Sequence, residues 1–371
     1  MHDPFGEILK KDIEKFLYSL QDENNKFHFY PVLDGITHYG KQLTLGFSCY
    51  VIKCLYMLDL WESLDVNYKQ KWLEYINSFQ VDIKNLPSNS YLDPGMHYFY
   101  TSISRKLSLK DNLKKVINLT SYSKKRTYKN LYQDSVRAET KQAIATLYQV
   151  GSFNNLQYKD FPNTKVEISK YLDSLNWTRP WNAGAQFSAL CVFTATQLEN
   201  NEAEYNAKYL YKYIEKVLNK DTGLYHLNKD VSINEKINGT MKVITGLDWI
   251  EKPIHFPEKI IDFCLEVDPG NEGCDIVDLV YILYKSCKQS KYKTLEIQQY
   301  FEKIKLIIYS HYYKSKGGFS YSPNKSQEYY YGLRISKGLD TPDVHGTTLL
   351  LWALTMIYDI NEIYGFNIIK P

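Results

Sequence analysis

The 371-residue sequence predicts an all-α fold, and within that class a single (α/α)6-type toroid with an inner ring of apolar helices and an outer ring of amphipathic helices. Two kinds of helical segment are present, they largely alternate along the chain, and no stretch rich in Gly, Ser and Pro divides them. The amphipathic kind has apolar residues at three- and four-residue spacing with Lys and Glu between them, which is typical of a helix that buries one face. Seven segments have this pattern: 6–20, 68–79, 104–119, 167–175, 202–218, 257–266 and 294–312.

The second kind of segment is poor in charge and apolar almost all round, which is typical of a helix surrounded by protein. Six segments have this pattern: 44–60, 138–150, 183–198, 239–250, 276–287 and 346–360. One pair of helices cannot bury its own apolar face, so neighbouring pairs must stack, and closing the stack into a ring removes its exposed ends. An open α-solenoid and two separate helical domains are the alternatives. The missing linker favours one domain over residues 1–371.

The composition argues against several classes of protein. Hydrophobic residues make up 44% of the chain and charged residues 23%, which is ordinary for a globular protein and too apolar for disorder. A net charge of +3 and a pI near 8.2 do not fit a dedicated nucleic-acid binder. The sequence contains no run of 18 consecutive apolar residues, which a membrane-spanning helix would need, and residues 1–16 lack the apolar core of a signal peptide. We expect a cytoplasmic protein with no transmembrane segment and no nucleic-acid partner.

The sequence predicts neither a metal nor a cofactor. Its six cysteines are scattered and form no CxxC pair, so a disulfide framework or a zinc site is not expected. No phosphate-binding loop, dinucleotide fingerprint or nucleophile-elbow serine motif is present.

Polar residues are concentrated near the predicted starts of the inner helices. In a toroid these starts converge on one mouth, where helix N-termini present unpaired N–H groups and partial positive charge. Three of the five arginines lie in these segments, and a guanidinium suits a carboxylate or phosphate, although a structural ion pair of Arg137 with Glu139 or Asp134 is the alternative. The predicted substrate-binding residues are Arg137, Glu139, Trp177, Arg179, Trp181, Asn182, Gln186, Asn238, Tyr330 and Arg334.

The segment 177–186 contains two of the six tryptophans on either side of an arginine. The indoles of Trp177 and Trp181 could stack on a sugar ring or line a hydrocarbon pocket. The alternative is that they only fill space where the loop meets the helix.

Asp343, His345 and Asp278 are the predicted catalytic residues. His345 follows Asp343 by two positions at the start of an inner helix, and a histidine beside a carboxylate can serve as a general acid or base. Asp275 and Asp278 are three residues apart and therefore share a helix face. In an apolar helix a carboxylate is costly unless it is capped, paired or used, and capping is the alternative role for Asp275, Asp340 and Asp343.

A turn with the sequence Gly317-Gly-Phe319, followed by the segment His345-Gly-Thr-Thr-Leu-Leu-Leu-Trp-Ala-Leu, resembles the α/α-toroid superfamily of terpenoid cyclases and protein prenyltransferases. The same ring serves glycan-active hydrolases, lyases and epimerases, and a fold does not fix function. The Asp-x-Asp-Asp motif of terpenoid cyclases is not matched, since the nearest stretch is Asp340-Thr-Pro-Asp343, and no Asp-Asp-x-x-Asp stretch is present. The Asp-x-Cys pair of prenyltransferases is not matched either, because Glu272 lies two residues before Cys274.

The polar residues expected at the mouth favour general acid/base chemistry on a glycan-type substrate, with an acidic sugar as one candidate. In this hypothesis Asp343 and His345 form an acid/base pair, and Arg179 and Trp181 hold the substrate. A small molecule or glycan is the predicted partner. The alternatives are an isoprenoid enzyme of the terpenoid cyclase or prenyltransferase kind, and a non-catalytic toroid that binds or scaffolds.

Overall fold

Helices dominate the structure, a computed structural model that describes residues 4–102, 112, 127–227 and 230–371. The all-α prediction is confirmed at the level of a helix-rich fold whose helices pack on one another. The described helices are α1 (Pro4–Ser19), α2 (Leu45–Met57), α3 (Val66–Asn77), α4 (Pro94–Ser102), α5 (Tyr128–Gln149), α6 (Lys165–Asp173), α7 (Pro180–Gln197), α8 (Asn200–Ile214), α9 (Ile233–Trp249), α10 (Pro257–Leu265), α11 (Gly273–Ser290), α12 (Thr294–Ser310) and α13 (Val344–Ile360). The helix predicted at 104–119 lies outside the described residues, residue 112 excepted.

Very short strands pair in three antiparallel sets between the helices. The pairs are β1 (Gln80–Val81) with β2 (Ser90–Tyr91), β3 (Tyr312–Tyr313) with β4 (Gly318–Phe319), and β5 (Tyr329–Tyr330) with β6 (Leu333–Arg334). In the second pair Tyr312 lies opposite Phe319, so the turn at Gly317 brings the chain back beside the end of α12. Gly317 has a φ of +85°, which glycine adopts without strain.

Several charge-poor helices begin earlier than the apolar pattern predicts. Helix α5 starts at Tyr128 and not at residue 138, because Thr127 and Asn130 form a capping box there. Helix α9 starts at Ile233 because the Ser232 side chain accepts a hydrogen bond from the N–H of Glu235. Caps set these starts, whereas the apolar pattern begins only where the helix enters the protein interior.

The charge-poor helices pack on one another in a fixed order. Helix α2 packs against α5, α5 against α7, α7 against α9, α9 against α11, α11 against α13, and α13 against α2. The amphipathic helices flank them, with α3 on α2, α8 on α7, α10 on α11 and α12 on α13. The buried apolar side chains form one cluster that includes residues from Leu9 to Ile369.

Two further predictions were that the chain has no transmembrane segment and that its cysteines form no disulfide framework. Within the part of the chain that the structure describes, every helix is too short or too polar to cross a bilayer. The six cysteines are free thiols, and all but Cys274 are buried.

Candidate functional site

Asp343 is the N-cap of α13, and backbone donors surround its carboxylate. Oδ1 accepts from the N–H of Gly346 at 2.7 Å, and Oδ2 accepts from the N–H groups of Tyr321 at 2.7 Å and Gln327 at 3.1 Å. The side chain is only 1% exposed, and burial raises its pKa to about 6 although these N–H groups oppose the shift. The Asp343 carboxylate therefore binds three backbone segments and not the imidazole of His345, and the acid/base role of this pair stays a prediction.

His345 lies one residue into α13 and is held between two aromatic rings. Its ring centroid lies 4.9 Å from that of Tyr50 and 5.4 Å from that of Tyr321, and both pairs are stacked. Burial, and then the positive charge of Lys242, lowers the pKa of His345 to about 3. The imidazole is consequently neutral at pH 7, and its Nδ1 has no hydrogen-bond partner among the described residues.

Lys242 of α9 connects His345 with the second predicted catalytic residue, Asp278 of α11. The Lys242 Nζ lies 3.7 Å from Oδ1 of Asp278, which is 1% exposed. Burial raises the pKa of Asp278 to about 6 even though Lys242 opposes the shift. The other oxygen, Oδ2, has no hydrogen-bond partner in the described part of the chain. Asp278 thus lies beside the Lys242 ammonium group, whose charge also acts on His345.

Cys274 and Tyr321 complete this neighbourhood. The Cys274 side chain, one turn before Asp278, lies close enough to the Tyr321 hydroxyl for each group to affect the pKa of the other. Burial, and then the charge of Asp278, raises the pKa of the Cys274 thiol to about 11, so the thiol is protonated at pH 7. Among the described residues no group of three or more His, Cys, Asp or Glu side chains is arranged to hold a metal ion.

Two more lysines point into the same interior, and sequence reasoning missed them. Lys53 of α2 is 6% exposed, and burial lowers its pKa to about 8. Lys141 of α5 is half-buried, and burial, followed by the charges of Lys242 and Lys53, lowers its pKa well below the ordinary value. Lys53, Lys141 and Lys242 are each the sole lysine in a predicted apolar segment, at 44–60, 138–150 and 239–250 respectively. A single lysine in an apolar segment was the signal that could have identified them.

Glu139 is buried beside a second carboxyl group, that of Asp93. The N–H of Asp93 donates to Glu139 Oε2 at 3.0 Å, while Asp93 Oδ2 accepts from the N–H groups of Thr44 and Leu45 at the start of α2. Burial, and then the charge of Asp93, raises the pKa of Glu139 well above its ordinary range. Glu139 therefore joins α5 to the loop before α4, which is a structural role.

Glu139→Gln is expected to raise the melting temperature more at pH 8 than at pH 4. A carboxyl whose pKa is raised by folding contributes stability that is present below its unfolded pKa and is lost as the pH rises through the folded value. Glutamine stays neutral at every pH and its carbonyl can still accept from Asp93. Thermal unfolding of both proteins from pH 4 to 8 measures the difference, and an equal shift at all pH values would mean that folding does not raise the pKa of Glu139.

Arg137 forms the ion pair that was the alternative to substrate binding. Its Nη2 lies 2.6 Å from Oδ1 of Asp134, and its Nη1 donates to Oε1 of Gln186 at 3.3 Å. Gln186 in turn donates to Oδ1 of Asn182 at 3.0 Å. Three predicted binding residues are thus brought together, but as a network that joins α5 to the first turns of α7.

The remaining residues of segment 177–186 do not share one face. Trp177 is 5% exposed, and its Nε1 donates to the carbonyl of Leu172 at 3.2 Å, so it fills space in the core. Trp181 is 38% exposed, and Arg179, the N-cap residue of α7, is exposed as well. The space-filling alternative is correct for Trp177, and the predicted aromatic platform of two indoles is not formed.

Arg334, Tyr330 and Asn238 lie in three different settings. Arg334 is exposed on β6 and pairs with Glu328 at 3.1 Å. Tyr330 is buried with its ring 5.3 Å from that of Phe47. Asn238 is buried on α9, where its Nδ2 donates to Asp275 at 3.3 Å and its Oδ1 has no partner within the described residues.

Comparison of the chain with protein-family models, with curated proteins and with solved structures gives no significant match. What the chain does is therefore inferred from the geometry of its side chains.

Proposed function

We propose that the chain is an α/α-toroid enzyme that acts by general acid/base chemistry on an acidic sugar or a similar small anion inside the ring. The ring is supported by the order of helix packing, which runs through α2, α5, α7, α9, α11 and α13 and returns to α2. The alternation of charge-poor and amphipathic helices along the chain supports the same arrangement.

The observation that carries the proposal is the contact of Lys242 with Asp278 at 3.7 Å, together with the effect of the same charge on His345, because both Asp278 and His345 are suited to proton transfer. Asp278, with a pKa of about 6, changes protonation close to neutral pH, as a general acid or base should. His345 is a neutral imidazole at pH 7, able to orient a hydroxyl group through a lone pair or an N–H. Asp343 acts as a positioning residue, because its backbone hydrogen bonds fix the start of α13 beside His345.

Charge and the positions of the tryptophans favour an acidic ligand. Lys53, Lys141 and Lys242 place three amines in this interior, and an anion beside them would favour their charged forms, whereas Asp278 supplies one negative charge that is already shared with Lys242. A neutral sugar would instead be expected on an aromatic platform. An isoprenyl diphosphate is also negatively charged, and the thermal-shift screen described next distinguishes it from an acidic sugar.

Asp278→Asn is expected to lower turnover about 10²-fold while the helical circular-dichroism signal and melting temperature are retained. A thermal-shift screen of uronic acids, neutral oligosaccharides and prenyl diphosphates supplies the substrate class. The matched control is Asp262→Asn on the outer helix α10, whose carboxylate pairs with Lys293. His345→Gln tests the second group, because the amide keeps a donor and an acceptor but cannot be protonated.

Three results would overturn parts of the proposal. Full turnover in both Asp278→Asn and His345→Gln would remove the acid/base assignment. Stabilisation by prenyl diphosphates alone would identify the isoprenoid alternative. Stabilisation by none of the three classes would favour a scaffold role.

A further inference from the structure

We propose that Lys53, Lys141 and Lys242 form one anion-binding site between α2, α5 and α9, which takes a carboxylate or phosphate group of a small molecule. This inference deepens the proposed function and rests on it in one respect, namely that the ligand enters the interior that these helices enclose. It differs from the acid/base assignment, because it concerns binding of charge and would hold for a protein that only binds its ligand.

The three amines come from different helices, and the charges of two of them act on the third. Gln142 Nε2 donates to the carbonyl of Gly46 at 3.0 Å, so the neighbouring Lys141 lies at the level of the first turn of α2. Lys53 starts two turns further along α2, and side chains on a helix lean toward its N-terminus, which directs the Lys53 amine back to that level. The charges of Lys53 and Lys242 both act on Lys141, and Lys242 also acts on His345.

The lysines keep hydrogen-bonding capacity that the fold does not use. Among the described residues Lys53 and Lys141 donate no hydrogen bond and form no ion pair, while Lys242 has Asp278 at 3.7 Å, a loose contact for an ion pair. Lys141 is half-buried, and Lys242 retains 25% of its side-chain surface, so neither side chain is fully enclosed by protein atoms. Each ammonium offers three donors to an incoming anion.

The nearby carboxyl groups do not neutralise this charge. Glu139 has a raised pKa and binds the N–H of Asp93, and Asp343 is occupied by the N–H groups at the start of α13. Asp278 is the carboxylate that contacts one of the amines, Lys242 at 3.7 Å, whereas Asp275 beside it accepts hydrogen bonds from Asn234 and Asn238. Apolar residues at positions 53 and 141 would avoid the cost of burying like charges. Residues that lower stability in an otherwise apolar interior are expected where a ligand uses them.

An anion would relieve this cost by placing negative charge among the amines. Lysine binds carboxylate and phosphate as a flexible point charge and does not require the planar geometry of arginine. The shared requirement is a compact group with one to three negative oxygens, and the two possible sources, a sugar or organic acid and a phosphate ester, are separated by the choice of probe.

The test is calorimetric titration of the full chain with citrate, glucuronate, inorganic phosphate and pyrophosphate. Lys141→Met and Lys53→Met are each expected to weaken binding of the preferred anion at least 10-fold. Lys141→Arg, which keeps the charge, is expected to restore most of the affinity. The matched control is Lys303→Met on the outer helix α12, where the side chain is exposed and the affinity should be unchanged.

A second measurement separates loss of binding from loss of folding. Without ligand, Lys141→Met is expected to melt at or above the temperature of the wild type, and addition of the anion should then shift it no further. A lower melting temperature with an unchanged response to anion would assign Lys141 to the fold and overturn the site. Equal affinity in all the lysine variants, or no binding of any probe by the wild type, would overturn it as well.

The failure of this site and the failure of the proposed function are distinguishable. Asp278→Asn and His345→Gln should still bind the anion while turnover falls. If the lysine variants lose binding and the wild type turns over no member of the screen, the site stands and the enzyme does not. If turnover persists in Lys141→Met and Lys53→Met with unchanged affinity, the enzyme stands and the site does not.

Discussion

Asp343→Ala is expected to lower the free energy of unfolding by about 3 kcal/mol, one of the largest effects of a single substitution in the chain. The carboxylate caps α13, and losing a cap costs about 1 kcal/mol. It also satisfies the N–H groups of Tyr321 and Gln327, and leaving a buried donor without a partner costs about 1–3 kcal/mol each. Urea denaturation at pH 7 measures the loss.

The loss should depend on pH with a defined sign. Folding raises the pKa of Asp343 from its ordinary value to about 6. Its contribution is therefore fully present below the unfolded pKa and declines as the pH rises through about 6. The difference in stability between the wild type and Asp343→Ala should be larger at pH 4.5 than at pH 8.

Asp340→Ala is the control three residues earlier. Asp340 is exposed and accepts a hydrogen bond from the Tyr313 hydroxyl, so we expect a loss below about 1 kcal/mol. If Asp343→Ala were equally mild and yet abolished turnover, the catalytic role that the sequence first suggested for Asp343 would be restored.

Segments buried on every side could be predicted from the sequence, but helix starts could not. The apolar stretch at 346–360 identified α13 because no charge interrupts it before Asp359. The polar first turns of α5 carry no such pattern, and the capping box at Thr127 sets their start. The short helix α4 follows Asp93, whose carboxylate contacts Thr44, almost fifty residues away, so its position depends on tertiary structure.

The residues of the candidate site also divide into those that the sequence could predict and those that it could not. Asp278 could be found from the sequence, since a carboxylate one turn into an apolar helix needs a partner, and Lys242 lies beside it. Trp177 lies in a loop and Trp181 in the first turn of α7, ahead of the apolar segment at 183–198, so helical periodicity assigned neither of them to a face. The lysines were visible as single charges in apolar segments, but lysine is so abundant in this chain that they did not stand out.

Gly239→Ala is the second substitution for which we expect a loss of about 3 kcal/mol. A Cβ at this position would lie 2.5 Å from the Cβ of Pro180 and 2.7 Å from its carbonyl carbon, so the start of α7 would have to move away from α9. Alanine gains about 1 kcal/mol over glycine in helix propensity, but displacing backbone in a packed interior costs more than that.

Gly273→Ala is the matched control for Gly239→Ala. Its Cβ would meet nothing closer than 3.4 Å at the first position of α11, so stability should be unchanged or slightly higher. Urea denaturation of both variants measures the contrast. The contact of α7 with α9 is one of the six that support the ring, and it depends on this absence of a side chain. If Gly239→Ala were as stable as Gly273→Ala, the two helices would lie further apart than described, and the order of packing that supports the toroid would be broken at that point.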